Sequence, residues 1–281
     1  MTVAIVTDSC SDMTPEQLRE YDIVQVPLTV FFDNDGALSP DEMSPEEFWR
    51  QLTAPGAPFP HTAAPSAGQF KVAFERLFAA GADEIVYVGV SETLSTTINS
   101  GRMAAEMMPG KTILTVDTRS ACMGIGAMAI RARHLATAGH TAREIVDDIE
   151  RAKAGLDIYV ALDTLEYLRK GGRISSAKAV LGGMLAIKPI IRAIDGEVIV
   201  HEQIRTRSKV VERAIELIAD KPVKWLHVIY APPADGAAFR DAILARLPGP
   251  PPEFVTTQIM GPVIGAHIGP GAYGAVLFRE P

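Results

Sequence analysis

Short apolar, β-branched runs at residues 3–7, 85–90 and 112–116 alternate along this chain with helix-length segments, and that rhythm restricts the fold more than any other feature. Runs that are apolar throughout fit strands covered on both faces, and strands separated by helices are joined by crossovers that make a sheet parallel. The helix starts are marked by residue type. Thr14-Pro15-Glu16-Gln17, Ser44-Pro45-Glu46-Glu47 and Ser66-Ala67-Gly68-Gln69 each place a hydroxyl three residues before Glu or Gln, and Thr141 stands in the same relation to Glu144. A hydroxyl there accepts a backbone N–H of the first turn, and Pro at the first helical position loses no bond. Residues 54–65 hold four prolines and a glycine and are expected to form a loop.

Past residue 155 the pattern changes. Asp195-Gly196 lies between the β-branched runs 190–194 and 198–204, a strong hairpin signal that brings in antiparallel strands. Further strands are expected at 226–230, 254–259, 263–267 and 275–278, with helices near 208–219 and 235–247. The fold class is therefore α/β in two domains. Residues 1–156 form a three-layer α/β/α parallel-sheet domain, and residues 157–281 form an α/β domain with a mixed sheet.

Charge and cysteine content remove several function classes. The 281 residues carry a net charge of −7, the wrong sign for a protein that neutralises nucleic-acid phosphates. Cys10 and Cys122 are the two cysteines, too few for a disulfide framework and without the spacing of a structural zinc site. No uninterrupted apolar run reaches the roughly 18 residues of a membrane span, and no basic leader precedes the first strand, so a cytoplasmic protein without a membrane segment is expected.

Several segments could carry chemistry. Thr7-Asp8-Ser9-Cys10-Ser11-Asp12 follows the first strand at its carboxyl end, where open α/β sheets gather ligands, although Asp8, Ser9 and Ser11 read equally well as turn and cap residues. Thr62 lies just upstream of the helix opened by Ser66, and a helix N-terminus attracts anions. Ser91-Glu92-Thr93-Leu94-Ser95-Thr96-Thr97 packs more hydroxyls into a strand-to-helix passage than one cap requires. Gly89-Val90-Ser91-Glu92-Thr93 resembles a nucleophile elbow with Thr93 in place of the final glycine, and with His267 it raises a second reading, a serine hydrolase acting on acyl esters through Ser91 and His267. Gly124-Ile125-Gly126-Ala127-Met128-Ala129 matches a dinucleotide fingerprint but stands too far from the preceding strand, and no phosphate-binding loop of the G-x-x-x-x-G-K-[ST] type occurs. Arg169, Lys170 and Arg173 cluster around a Gly-Gly stop, Arg205 and Arg207 close the hairpin, and His267 precedes a Gly-Pro-Gly turn.

Together these segments resemble the DegV family, whose better-studied members are the fatty-acid-binding subunits of bacterial fatty acid kinase. The resemblance runs from Thr7-Asp8-Ser9 through Thr62-Ala63-Ala64-Pro65-Ser66, Leu94-Ser95, Val116-Asp117, residues 165–174, Ile187-Lys188-Pro189 and Arg205-Thr206-Arg207 to His267-Ile268-Gly269-Pro270-Gly271. It implies two α/β domains with a lipid tunnel between them, holding one long-chain fatty acid. A separate kinase subunit phosphorylates the carboxylate to an acyl phosphate used in phospholipid synthesis. By position it makes Thr62 and Ser95 carboxylate ligands with Ser91 beside them, places His267 near the head group, and links Arg173 and Arg205 to kinase docking or phosphoryl transfer. It implies no catalysis by this chain and no cofactor beyond the bound fatty acid. Hydroxyls can hold a carboxylate without the guanidinium fork that would blunt its attack on phosphorus. At about 0.8 kcal/mol per buried CH₂, a C16 tail supplies on the order of 10 kcal/mol before costs. Residues 179–187 and Met103, Met107 and Met108 are candidate tunnel linings. Two positions depart from the pattern. Glu92 and Thr96 stand where the family often has Ser and Gly, and a carboxylate at Glu92 repels the ligand unless it points away.

Overall fold

The computed structural model describes residues 2–32, 43–174 and 187–279. The chain divides into two compact units, Met1–Thr29 with Thr62–Ala154, and Val30–His61 with Gly155–Pro281.

In the first unit, β1 (Val3–Asp8), β2 (Ile23–Val26), β5 (Glu84–Gly89) and β6 (Thr112–Asp117) form an all-parallel sheet in the order β2-β1-β5-β6. Helices α3 (Ala67–Ala79) and α4 (Thr97–Glu106) cover one face, where Phe70, Phe74 and Ile98 pack on Val6, Ile85 and Tyr87. Helices α5 (Met123–Thr137) and α6 (Ala142–Ala152) pack against β1, β5 and β6. The result is three layers. The capping boxes hold: the hydroxyls of Thr14, Ser66 and Thr141 accept from the third helical N–H, and their own N–H groups donate to the Gln17, Gln69 and Glu144 side chains, starting α1 (Pro15–Glu20), α3 and α6. Ser44 caps α2 (Pro45–Leu52) with its hydroxyl. β6 departs from the expectation of two-sided burial. It lies at the edge of the sheet, and Val116 is its one buried residue.

In the second unit, β7 (Leu156–Ala161), β8 (Lys188–Ile194), β9 (Glu197–Ile204), β10 (Trp225–Tyr230), β11 (Phe254–Ile259) and β12 (Tyr273–Phe278) make a mixed sheet in the order β11-β10-β12-β7-β8-β9. Only β10 and β11 run parallel. The hairpin between β8 and β9 turns at Asp195 (φ 51°) and Gly196 (φ 86°), both in the left-handed region that a two-residue hairpin of this hand demands. Helices α8 (Arg207–Ile218) and α9 (Gly236–Leu244) supply Val210, Ala214, Ile218, Phe239 and Ile243 to a core with Leu226, Val228, Ala275 and Leu277.

Three expectations need correction. The first concerns the contiguous domain 1–156, because residues 30–61 belong with the second unit. Their apolar groups find partners there: Phe48 and Trp49 of α2 press on Gly265, the Trp49 indole N–H donates to the Met260 carbonyl at 2.8 Å, and Phe59 stacks on Tyr167. Second, residues 263–267 are not a strand but lie in helix α10 (Pro262–Ile268), with Pro262 in its first turn and Gly261 as its extended N-cap. A five-residue apolar run fits either element, and Val263 and Ala266, three apart, both turn inward as helix spacing allows. Third, the Pro-rich loop contains β4 (Pro60–Ala63), which pairs with β3 (Thr29–Phe32) in a two-stranded sheet. Pro60 is its first residue, where a missing donor is tolerated.

No helix among the described residues is long and apolar enough to cross a membrane. One buried imidazole makes stability depend on pH. His227 on β10 is 1% exposed, its Nδ1 lies 2.9 Å from Thr256 Oγ1, and burial pushes it down to about 4. Its folded value lies below the ordinary 6.5, so between pH 6.5 and 4 the unfolded chain binds a proton that the folded protein refuses. The contribution is whole above pH 6.5 and is lost as pH falls. Urea unfolding of the protein is expected to lose about 2 kcal/mol more between pH 7.5 and 5 than that of His227→Gln. Parallel pH profiles for the two proteins would refute this.

Candidate functional site

The carboxyl end of β1 is a set of hydrogen bonds that fixes the hydroxyl-rich turn beside it. Asp8 is buried and accepts from Cys10 N–H (3.0 Å), Tyr87 O–H (2.7 Å) and Val90 N–H (3.0 Å); burial pushes its carboxyl above the ordinary range. Ser9 Oγ accepts the Leu28 N–H at 2.8 Å, and Ser11 Oγ accepts from Gln25 Nε2 at 3.2 Å. These groups serve the turn. Between the two readings of this cluster, the structural one describes Asp8, Ser9 and Ser11.

Asp8 thereby holds Val90, and Ser91 N–H donates to the Ser120 carbonyl at 3.0 Å, so the passage from β5 to α4 is anchored at its start. The Ser91 carbonyl accepts from Leu94 and Ser95 N–H, which curls residues 91–95 into a tight turn. Ser91 is fully buried, with its Oγ 3.0 Å from Thr93 Oγ1. Ser95 is half-buried, its Oγ 2.8 Å from Thr97 Oγ1 and accepting the Thr97 N–H at 3.3 Å. The two hydroxyl pairs thus lie on one rigid turn of the first unit. Thr62 also belongs to this unit, on β4 before the Ser66 cap.

Both departures from the family pattern are accommodated. Glu92 is exposed and paired with Arg102 Nη1 at 2.7 Å, which holds its carboxyl below the ordinary range. Thr96 sits at φ −74°, ψ 0°, a conformation open to any L-residue, so the absent glycine leaves no strain. The nucleophile elbow is not formed. Five residues separate Ser91 from the start of α4 at Thr97, and Ser91 is not among the residues of positive φ. The dinucleotide fingerprint likewise lies inside α5, where Gly124 and Gly126 are helical.

His267 lies in the second unit, in the last turn of α10. Its ring closes on the backbone at the end of α7 (Glu166–Lys170): a Cβ on Gly171 would fall 2.5 Å from Nδ1. Burial first, then the charges of Arg173 and His61, push its imidazole down to about 4, so it is neutral at pH 7. Arg173 Nη1 donates to the Gly171 carbonyl at 2.6 Å, on the same short backbone stretch. Next to them, Phe59 stacks on Tyr167 at 5.6 Å, Lys170 Nζ lies 5.1 Å above the Phe59 ring, and His61 packs against both Phe59 and Phe31.

The remaining cations separate by role. Arg205 is exposed at the end of β9. Arg207 pairs with Asp163 Oδ1 at 2.5 Å and lies 5.3 Å from the Tyr273 ring, and Lys188 Nζ donates to the Asp163 carbonyl at 3.0 Å. Asp163 thus binds α8 and β8 to the loop after β7. Met103 and Met107, offered as tunnel linings, are 57% and 53% exposed, whereas Met108 is packed in the core. The other offered lining, residues 179–187, lies outside the described residues except for Ile187. His61, Phe59 and Asp163 stand in no motif, and Tyr167 lies in the segment 165–174 without a role that its type announces; their proximity comes from the fold. Among the described residues no group of three His, Cys, Asp or Glu could hold a metal ion.

Comparison with known proteins places this geometry in a family. The family model described as "Uncharacterised protein, DegV family" matches residues 2–280. A DegV domain-containing protein of Streptomyces coelicolor is 35% identical over 279 residues, covering 98% of each chain. One from Listeria monocytogenes is 33% identical over 276 residues, covering 97% of this chain and 96% of its own. Among solved structures, a fatty-acid-binding DegV family protein of Thermus thermophilus superposes with a TM-score of 0.89 at 30% identity, covering 99% of this chain and all of that one. DegV of Bacillus subtilis, a fatty acid binding protein, gives a TM-score of 0.87 at 28% identity over 99% of this chain and all of its own. With a family model spanning nearly every residue and relatives above 30% identity end to end, this chain belongs to the DegV family.

Proposed function

We propose that this protein binds one long-chain fatty acid in a buried tunnel and presents its carboxylate to a separate kinase subunit for ATP-dependent phosphorylation to an acyl phosphate. The observation that carries the reading is the end-to-end match to the fatty-acid-binding protein of Thermus thermophilus. The protein is then a lipid-binding subunit of the cytoplasm without catalysis of its own, and the acyl phosphate it helps to make enters phospholipid synthesis.

In this reading the Thr62 and Ser95 hydroxyls donate to the carboxylate, and Ser91 supports them from the turn that Asp8 and Ser120 anchor. Neutral His267 adds one N–H donor without a full positive charge, which leaves the carboxylate able to attack phosphorus. Arg173 and Arg205 serve kinase docking or phosphoryl transfer. The test is the mass of the protein, expressed in bacteria and sprayed under native conditions, followed by identification of what denaturation releases. One C14 to C18 fatty acid per chain is expected, in the range of about 14 to 18 carbons that a long apolar tunnel accepts. A protein that emerges empty and also refuses added myristate and palmitate would refute the reading.

A further inference from the structure

The turn at Ser91–Ser95 is held from two sides, by the loops that follow β1 and β6, the two neighbours of β5. From one side the loop after β1 reaches it through Asp8, whose Oδ2 accepts the Val90 N–H at 3.0 Å. From the other, the loop after β6 supplies three holds. Thr118 Oγ1 donates to the Gly89 carbonyl at 2.8 Å, and the Ser120 carbonyl accepts the Ser91 N–H at 3.0 Å. Asp117 accepts the Glu92 N–H at 3.3 Å through one carboxylate oxygen and the Arg119 N–H at 2.8 Å through the other.

These two loops meet at Cys122. Its Sγ–H donates to Asp12 Oδ2 at 3.0 Å, and both residues are buried. Burial, then the adjacent Asp12 carboxyl, push the thiol well up, so it keeps the proton it donates. A Cβ on Gly126 would fall 3.0 Å from Met13 Cγ, so the first turn of α5 also rests on the residue after Asp12. The backbone bears a cost at the same point. Cys122 sits at φ 56°, ψ −149°, at the edge of a region that residues other than glycine enter only under strain. Such a conformation persists only where its surroundings over-determine it. Here they are the thiol bond to Asp12 and the start of α5, where the Cys122 carbonyl accepts the Ile125 N–H at 2.9 Å.

Resting on the fatty-acid reading, we propose that Cys122 is a positioning residue for the carboxylate site: by tying the loop after β6 to the loop after β1, it fixes the Ser91–Ser95 turn in the form that receives the ligand's carboxylate. A turn ordered before the ligand arrives loses less freedom on binding, so affinity rests on this tie although Cys122 touches no ligand. The thiol acts as a donor, and a hydroxyl can take its place.

The experiment compares the unmodified protein with three variants. Cys122→Ala removes the donor and keeps the backbone cost, Cys122→Ser restores a donor, and Thr141→Ala removes the cap of α6 elsewhere in the same unit. Amide exchange followed by NMR at Ser91, Leu94 and Ser95 reports on the turn without ligand, and calorimetric titration with myristate reports on the site. Cys122→Ala is expected to exchange about fivefold faster at these amides and to bind myristate about fivefold more weakly, the equivalent of one hydrogen bond of ordinary net worth. Cys122→Ser should restore both to within about twofold, and Thr141→Ala should leave both unchanged. Should Cys122→Ala not fold, Cys122→Gly breaks the same tie while relieving the backbone. Three results would each overturn the proposal: exchange at the turn no faster in Cys122→Ala than in Thr141→Ala, faster exchange with myristate affinity unchanged, or equal weakening in Cys122→Ser. An unmodified protein that is folded and refuses myristate removes the fatty-acid reading itself and, with it, the assignment of this turn to a carboxylate.

Discussion

Gly269→Ala is expected to lower stability by about 4 kcal/mol. Two independent penalties combine. Gly269 has φ 75° and ψ 175°, a region that only glycine enters without strain, at about 1–3 kcal/mol for other residues. A Cβ there would also lie 2.2 Å and 2.6 Å from two carbons of the Tyr167 ring, which cannot retreat freely because its face is stacked on Phe59. Overpacking of this kind costs about 1–3 kcal/mol. Gly172→Ala provides the comparison, because Gly172 has φ 69° and no atom within 4 Å of its would-be Cβ, so only the backbone penalty applies. Urea denaturation of both variants measures the difference. Equal losses would show that the Tyr167 contact contributes nothing, and His267 would then lose the support that sets its position at the end of α10.

Thr62→Val combined with Ser95→Ala is expected to reduce fatty-acid affinity at least about 100-fold, since hydrogen bonds to a charged group are each worth about 1.5–3 kcal/mol. Ser95 also accepts the Thr97 N–H, so its loss carries a stability cost unconnected with ligand. Ser66→Ala separates the two effects. It removes the cap of α3, at about 1 kcal/mol, from a helix of the same unit without touching the proposed ligands. Fluorescent fatty-acid displacement should show the double variant weakened and Ser66→Ala unchanged. A double variant that keeps its affinity would sink the carboxylate assignment, and equal weakening of both would make it a consequence of stability.

The sequence was most informative where one local bond decides the structure. Thr14, Ser66 and Thr141 each close a box with the residue three positions on, and Asp195-Gly196 sets the β8–β9 hairpin through two positive φ values; neither depends on distant parts of the chain. The parallel sheet was legible for the same reason, from runs such as 85–90 whose apolar residues need cover on both faces. What escaped was set by long-range packing. Residues 262–268 are helical rather than extended, as their inward face at Val263 and Ala266 shows, and nothing in a five-residue apolar run announces that. The hydroxyls at Thr62, Ser91 and Ser95 were found because they crowd into strand ends and a Pro-rich loop. His61 and Tyr167 were not, because their neighbourhood exists only once α7 and α10 have met β4.

The bond from Trp49 to the Met260 carbonyl spans 211 residues of chain. During synthesis, helix α2 leaves the ribosome with Phe48 and Trp49 already made and their final partners not yet translated. At about 5–20 residues per second, that interval lasts roughly 10 to 40 seconds. For that time Phe48 has only Phe32 and Trp49 of its native ring partners, and Trp49 lacks both Gly265 and the Met260 carbonyl, so the nascent chain depends on its surroundings to keep them from unproductive contacts.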